Sequence, residues 1–242
     1  MEANGVVEGN GDGAEEAGCF DIGSLGRCLS SFVDEGSPES HRYYLSRRTL
    51  FEMLRDRGYS VPSSEIGQSL QEFRAIHGQN PDIDRLKFSA THKSDPSKGY
   101  GSSWMLVIFC GTGVVKVSSV RVIAAQIVNR GSLTGLILIL QNQITNQALK
   151  AVDLFTFKVE MFQITDLLVN ITKHVLKPKH EVMSEREKQK LLKKYSIEEK
   201  QLPRLLKKDA IVKYYGLEKG QVVKVTHTGD ITESHVTSRC VW

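Results

Sequence analysis

The sequence predicts an α/β N-terminal region, with a βαβ-type mixed or parallel sheet and flanking helices, followed by a small α+β C-terminal region. Three observations predict it. Continuous apolar runs at 104–110 and 135–140 are separated and followed by helical periodicity, which is the pattern of buried strands joined by crossover helices. Near residue 172 the chain changes to short, lysine-rich elements punctuated by Pro203, Gly216 and Gly220. At 242 residues, two small units are favoured over one large core, and 40% apolar with 25% charged residues supports packed interiors.

Residues 1–36 carry Gly-Asn-Gly-Asp-Gly and Glu-Glu-Ala-Gly runs with too little apolar content to fold, so a disordered acidic tail is expected. Ser37-Pro38 reads as an N-cap followed by proline at the first helical position. The helix it opens places Tyr43, Leu50, Met53 and Leu54 inward and stops at Gly58. A second helix is expected from Ser64 to His77-Gly78, with Ile66, Leu70 and Phe73 on one face. Leu86, Phe88 and Ala90 then alternate as in a half-buried strand. Strand 104–110, helix 118–129 ending before Gly131, strand 135–140, helix 145–154 and strand 156–162 follow. A short helix at 166–170 closes the first region, assigned to 37–172.

The second region, 173–242, opens around His174. Ser184-Glu185-Arg186-Glu187 is a capping box, in which serine and glutamate satisfy each other's orphan amides, and Leu191, Leu192 and Tyr195 give that helix its apolar face. Leu202-Pro203-Arg204 cannot sit inside a helix, because proline lacks the amide donor. Asp209 is a helix N-cap, Gly216 a stop, and Gly220 a turn feeding strand 221–225. A terminal hairpin of 221–226 with 235–241 completes the unit. About seventy residues are marginal alone, so docking to something larger is expected. Tyr214 and Tyr215, with several cations nearby, read as an exposed docking surface.

The net charge of +4 is unevenly spread: −8 over residues 1–40, +5 over 41–172 and +7 over 173–242. Such a gradient fits a partner rich in negative charge, and Lys188, Lys190, Lys193 and Lys194 line one helix. Glu185, Glu187, Glu198 and Glu199 dilute that patch, and no aromatic platform for single strands accompanies it. Cysteines at 19, 28, 110 and 240 include no Cys-x-x-Cys pair, which argues against a zinc site or a disulfide framework. Leu136 to Leu140 is far short of a bilayer span, and the first residues lack a leader pattern, so no membrane association is expected. Gly99-Tyr100-Gly101 and Gly111-Thr112-Gly113 lack nucleotide-loop spacing, His180-Glu181 is not a zinc-protease motif, and Asp82 and Asp84 suit turn capping. No catalytic, cofactor or metal constellation is expected.

Against this background the segment 201–225 resembles the C-terminal assembly domain of the fifth subunit of eukaryotic nuclear RNA polymerases, whose archaeal counterpart is that domain alone. The family pattern Gln-Leu-Pro-Arg, Asp-Pro-x-x-Arg-Tyr-Tyr-Gly, Arg-Gly-Gln-Val-Val-Lys falls on three blocks here. They are Gln201-Leu202-Pro203-Arg204, Asp209-Ala210-Ile211-Val212-Lys213-Tyr214-Tyr215-Gly216 and Lys219-Gly220-Gln221-Val222-Val223-Lys224. Upstream, His174-Val175-Leu176-Lys177-Pro178-Lys179-His180 is similar to the family's His-x-Leu-x-Pro-x-His. Looser similarity runs back through Asn170-Ile171-Thr172 and Asp56-Arg57-Gly58-Tyr59.

The resemblance implies a jaw-like domain at 37–172 near downstream duplex DNA and an assembly domain at 173–242 clamped to the polymerase's largest subunit. It implies a noncatalytic nuclear subunit with other polymerase subunits as partners, and not a homo-oligomer. Departures bear on which polymerase. Ala210 stands where the family has proline, and Gly229-Asp230-Ile231-Thr232-Glu233-Ser234-His235 stands where the common subunit has Ser-Glu-Thr-Ala-Gly-Arg-Tyr. With the acidic tail and the ending Arg239-Cys240-Val241-Trp242, these resemble the plant paralogue of RNA polymerase V, which makes noncoding transcripts for RNA-directed DNA methylation and silencing. The alternatives are a subunit shared by polymerases I, II and III, a stand-alone basic DNA-binding module, or a nuclease-like enzyme on the βαβ unit.

Overall fold

Helix α1 (Pro38–Asp56) sets the frame of the first region. Ser37 Oγ accepts the Ser40 amide, Pro38 occupies the first turn, and Gly58, at φ +92°, turns the chain out of the helix. In the computed structural model, which describes residues 36–92, 104–127, 133–227 and 234–242, α1 lies on one face of a five-stranded sheet. Three short helices follow it: α2 (Ser63–Gly67), α3 (Leu70–His77) and α4 (Ile83–Leu86).

The sheet runs β1 (Tyr59–Ser60), β2 (Phe88–His92), β3 (Trp104–Phe109), β4 (Leu133–Leu140) and β5 (Lys158–Gln163), in that spatial order. β1, β2 and β3 pair antiparallel; β3, β4 and β5 pair parallel, through crossovers α5 (Val117–Gln126) and α6 (Asn146–Val152). The sheet is therefore mixed. β4, the middle of the three parallel strands, explains the unbroken apolar run. Ile137 and Ile139 face α1, while Leu136, Leu138 and Leu140 face α5 and α6, and all five are buried.

The second sheet has the order β6 (Lys179–Val182), β8 (Val222–His227), β9 (His235–Val241), β7 (Arg204–Leu205), with α7 (Glu185–Tyr195) and α8 (Ala210–Tyr215) between its strands in sequence. The terminal hairpin is present, with Val222 opposite Cys240 and His227 opposite His235.

Several expectations need correction. Leu86 ends α4 rather than entering a strand, because Asp82 caps that turn by accepting the Asp84 amide. The single helix expected over 64–77 is two, since Ser69 and Glu72 form a capping box that starts α3 afresh. Of its expected inward face only Phe73 is buried. The helix expected at 166–170 is a 3-10 turn, Ile164–Leu167, followed by a second, Ile171–Lys173. Tyr195 is exposed on α7, with Leu191 and Leu192 half-buried. Lys188 is buried rather than part of a solvent-facing basic row, held by Glu199 at 2.6 Å and Glu185 at 3.7 Å. The tail at 1–35, Gly99-Tyr100-Gly101 and Gly131 lie outside the described residues.

Candidate assembly interface

Helix α8 is only six residues long, and its two ends are secured differently. At its start Asp209 Oδ1 accepts the Ile211 amide at 2.8 Å. At its end Gly216 turns left-handed at φ +63°, and the Gly216 and Leu217 amides return to Lys213 and Val212 carbonyls. The first region adds donors to the carbonyls at this end. Arg57 donates from Nε to Tyr214 O at 2.8 Å and from its terminal nitrogen to Lys213 O at 2.6 Å. Lys158 Nζ donates to Gly216 O at 3.0 Å. Cations at a helix C-terminus oppose the negative end of its dipole.

Arg57 is itself held by Glu160 through paired contacts of 2.8 and 3.2 Å, the side chains being 6% and 13% exposed. So little exposure requires such pairing, because an unpartnered buried guanidinium is strongly destabilising. Strand register supplies the partner: Glu160 lies opposite Ile137, on the α1 face of β5. Glycine is needed twice at 216. Besides the positive φ, a Cβ there would stand 3.0 Å from the Arg57 guanidinium and 3.2 Å from Glu160 Oε1.

Tyr214, expected on the surface, is 4% exposed and packs into the apolar cluster built by α1 and the first sheet. Its hydroxyl donates to Asp56 Oδ2 at 2.8 Å and accepts from Asn170 Nδ2 at 3.4 Å. Burial, with the Asp56 carboxylate, pushes its pKa well above the ordinary tyrosine value. Tyr215 is half-buried, edge-on to Tyr214 at 5.2 Å, and touches the cores of both regions. Asn170 Nδ2 also donates to Glu52 Oε2 at 2.6 Å, while Lys173 pairs with Glu52 Oε1. Burial alone would raise the Glu52 pKa. Hydrogen bonds from Asn170 and Lys173, helped by the charges of Lys173 and Arg48, hold it below the usual carboxylate range instead.

The other motif residues do separate structural work. Gln201 and Gln221 each fold back on their own turns, accepting the Glu198 and Glu218 amides at 2.8 Å. Leu202 and Val222 are buried with Cys240, and Pro203 O accepts the Cys240 amide at 2.9 Å. Arg204 and Lys219 stand over the Trp242 ring at 4.8 and 5.0 Å. Gly220, at φ +90°, sends its amide to Val241 O. Lys224 pairs with Glu181 at 3.6 Å. His180 donates from Nδ1 to Pro178 O at 2.7 Å, and burial lowers its pKa. His174 is exposed and accepts the Leu176 amide, next to Val175 and Leu176 at 95% and 84% exposure. Ala210 is exposed at the start of α8, and His235 is exposed at the start of β9. Gly229, Asp230 and Glu233 lie outside the described residues.

The structure thus joins Tyr214, Tyr215 and Gly216 with Asp56, Arg57 and Asn170, three stretches carrying the family resemblance. Glu52 and Glu160 were not singled out by motif. Glu160 had one usable signal, since it shares strand parity with buried Phe162, and a carboxylate at an inward position requires a partner. Among the described residues no three His, Cys, Asp or Glu side chains gather as metal ligands would.

Comparison with known proteins gives two family matches. Residues 37–127 match the RNA polymerase Rpb5 N-terminal domain and 169–241 the RNA polymerase Rpb5 C-terminal domain. DNA-directed RNA polymerase V subunit 5A of Arabidopsis thaliana is 61% identical over 215 residues, covering 89% of this chain and 95% of that protein. DNA-directed RNA polymerases IV and V subunit 5B of the same plant is 61% identical over 209 residues, covering 86% and 94%. DNA-directed RNA polymerases I, II, and III subunit RPABC1 of Caenorhabditis elegans is 30% identical over 210 residues, covering 84% and 97%.

Proposed function

This chain belongs to the Rpb5 family of DNA-directed RNA polymerase subunits, and from that premise we propose that it is a noncatalytic assembly subunit of RNA polymerase V. The observation that carries this choice is the contrast in identity. It stands at 61% to relatives named for polymerase V or for IV and V, against 30% to one named for I, II and III. In this reading the chain works in the nucleus, within the enzyme whose noncoding transcripts guide DNA methylation, and nucleotidyl transfer belongs to other subunits.

Residues 173–242 are proposed to clasp the largest subunit and 37–172 to form the jaw beside downstream duplex DNA, with 1–36 an acidic extension. Buried motif residues such as Leu202, Val222, Tyr214 and Gly216 would act by holding the shape. Exposed ones, Gln201, Pro203, Arg204, Gln221 and His174, would meet the largest subunit. The network around Arg57 supports a mechanical role, since it ties α8 to the first region and would transmit the position of one part to the other.

A tagged chain purified from plant nuclei tests this. Elution in a very large complex with the RNA polymerase V largest subunit is the expected result. Elution as a free protein, or equal recovery of the polymerase I, II and III largest subunits, would refute it. Recovery of the polymerase IV largest subunit as well would favour the second reading that the relative named for IV and V suggests. Replacing 229–235 by Ser-Glu-Thr-Ala-Gly-Arg-Tyr together with Ala210→Pro is expected to shift recovery toward polymerase II. Unchanged recovery would assign selectivity to other residues.

A further inference from the structure

Between α8 and the turn at Ile164–Leu167 lies a cleft of about 360 Å³ at the seam between the two sheets' regions. This is the lower end of the ligand-sized range, roughly 300–1,000 Å³. Its floor is apolar, formed by the buried side chains of Met53, Phe162 and Leu167. One lip carries Lys208, Ala210 and Lys213. The other carries Asp166 and Val169, whose side chain is 68% exposed. Neither lysine side chain has an ion-pair partner among the described residues. A second cleft of about 240 Å³ shares Phe162 and Lys213 with the first and is lined also by Lys207, Lys158 and Glu160. The α8 side of the first cleft thus sets two lysines, Lys208 and Lys213, beside an apolar floor.

We propose that this seam docks an acidic peptide segment of a partner protein. One large apolar side chain would lie on Met53, Phe162 and Leu167, with neighbouring carboxylates against Lys208 and Lys213. Charge complementarity chooses the occupant: the lip cations outnumber Asp166, and covering them with a neutral or basic segment would strip water from charges without replacing it. A nucleic-acid backbone would satisfy the lysines but leave the apolar floor and Val169 uncovered. The proposal goes beyond the assembly reading, because it gives the motif positions Ala210 and Lys213 a ligand at the seam and specifies that ligand by chemistry alone.

The test is photocrosslinking in living cells, with p-benzoylphenylalanine at the position of Ala210 and, as a distant control, at that of Ile76 on α3, an exposed residue. Crosslinking precedes purification of the tagged full chain, and the captured peptide is sequenced whether or not polymerase subunits accompany it. The docking and assembly readings can therefore fail separately. The expected product at position 210 is a segment of net negative charge with a large apolar residue. The double variant Lys208→Glu, Lys213→Glu should lower its yield by roughly tenfold, the scale on which reversed rim charges act. The Ile76 products should not change, and thermal melting should find both proteins folded. Capture of DNA, of a neutral or basic segment, or of nothing by a folded chain would overturn the proposal. So would a yield indifferent to charge reversal.

Discussion

The two sheets of this protein are stabilised on different terms. Among the described residues, β3, β4 and β5 lie between two apolar layers, with seventeen buried residues in the cluster on the α1 side and twelve on the α5 and α6 side. Among the described residues, the sheet of β6 to β9 has clusters of six and three. One of the seventeen is Tyr214, which comes from the C-terminal region. The first region can build a core from its own strands and helices. The second is small enough to be marginal, and it gains from sending an aromatic ring into its neighbour while Arg57 and Lys158 close the end of its helix. The paired tyrosines of the family motif therefore secure the chain to itself, with Tyr214 unavailable to an outside partner.

The severest way to break this comparison is Tyr214→Ala. Removing a buried aromatic ring costs about 3–5 kcal/mol, and here the loss falls on the seam. Urea unfolding should register that loss. Amide exchange should accelerate in β6, β8 and β9 well before β3 and β4. Equal acceleration in both sheets would mean that the second depends on the first less than its small core implies.

Arg57→Ala tests the polar half of the same junction. It leaves the buried Glu160 carboxylate with only Lys158 at 3.6 Å and the Tyr214 carbonyl without the Arg57 donor, while Lys213 O keeps the Gly216 amide. Removing one member of a buried pair costs about 3 kcal/mol. Arg57→Met combined with Glu160→Met should recover part of that loss, since neither charge is then stranded. If the double variant is no more stable than the single, the carbonyl contacts carry the stabilisation rather than the ion pair.

The contrast between regions also decides what could be read from sequence. β3 and β4 were legible because strands buried on both faces must be apolar throughout, as Leu136 to Leu140 are. The α1 start and the Ser184 capping box were legible because caps are local chemistry. The break before α3 carries the same kind of signal in Ser69-Leu70-Gln71-Glu72, but the i, i+4, i+7 spacing of Ile66, Leu70 and Phe73 runs across it. β6 and β7 are four and two residues long, too short for alternation to speak, and they exist through pairing with β8 and β9. The burial of Tyr214 is illegible for a related reason. On a six-residue helix beside lysines it looks solvent-facing, and only a segment more than 150 residues away, at Asp56 and Arg57, makes its position an interior one.

A smaller effect separates the seam's electrostatics from its packing. Glu52 is 3% exposed, and its folded pKa lies below the unfolded reference of 4.5. A depressed carboxylate contributes stability that is present above the unfolded value and is lost as pH falls through the folded one. Wild-type stability should therefore decline from about pH 4.5 downward in part through this group. Glu52→Gln should cost about 1–2 kcal/mol at pH 7, through weakened bonds to Asn170 and Lys173, and should flatten the acid decline. The measurement is urea unfolding at a series of pH values. A Gln variant with an unchanged acid slope would assign the decline to other carboxylates.

The smallest effect concerns the end of α8 that the first region does not hold. Ala210 occupies the first helical position, where an amide has no intrahelical acceptor, and Asp209 Oδ1 bonds the Ile211 amide instead. Proline there removes a donor the helix does not use. Asp209, at φ −58° and ψ 138°, already has the extended backbone that a following proline demands. Ala210→Pro should therefore be tolerated and should stabilise by about 0.5 kcal/mol, through the restricted unfolded chain. In a chain of this size that is a rise in melting temperature of about 1–2 °C. Set beside Tyr214→Ala, the change alters one end of a short helix slightly, while the other alters its anchorage severely. A fall in melting temperature with circular dichroism unchanged would mean that the Ala210 amide has a partner and that the start of α8 is as firmly engaged as its end.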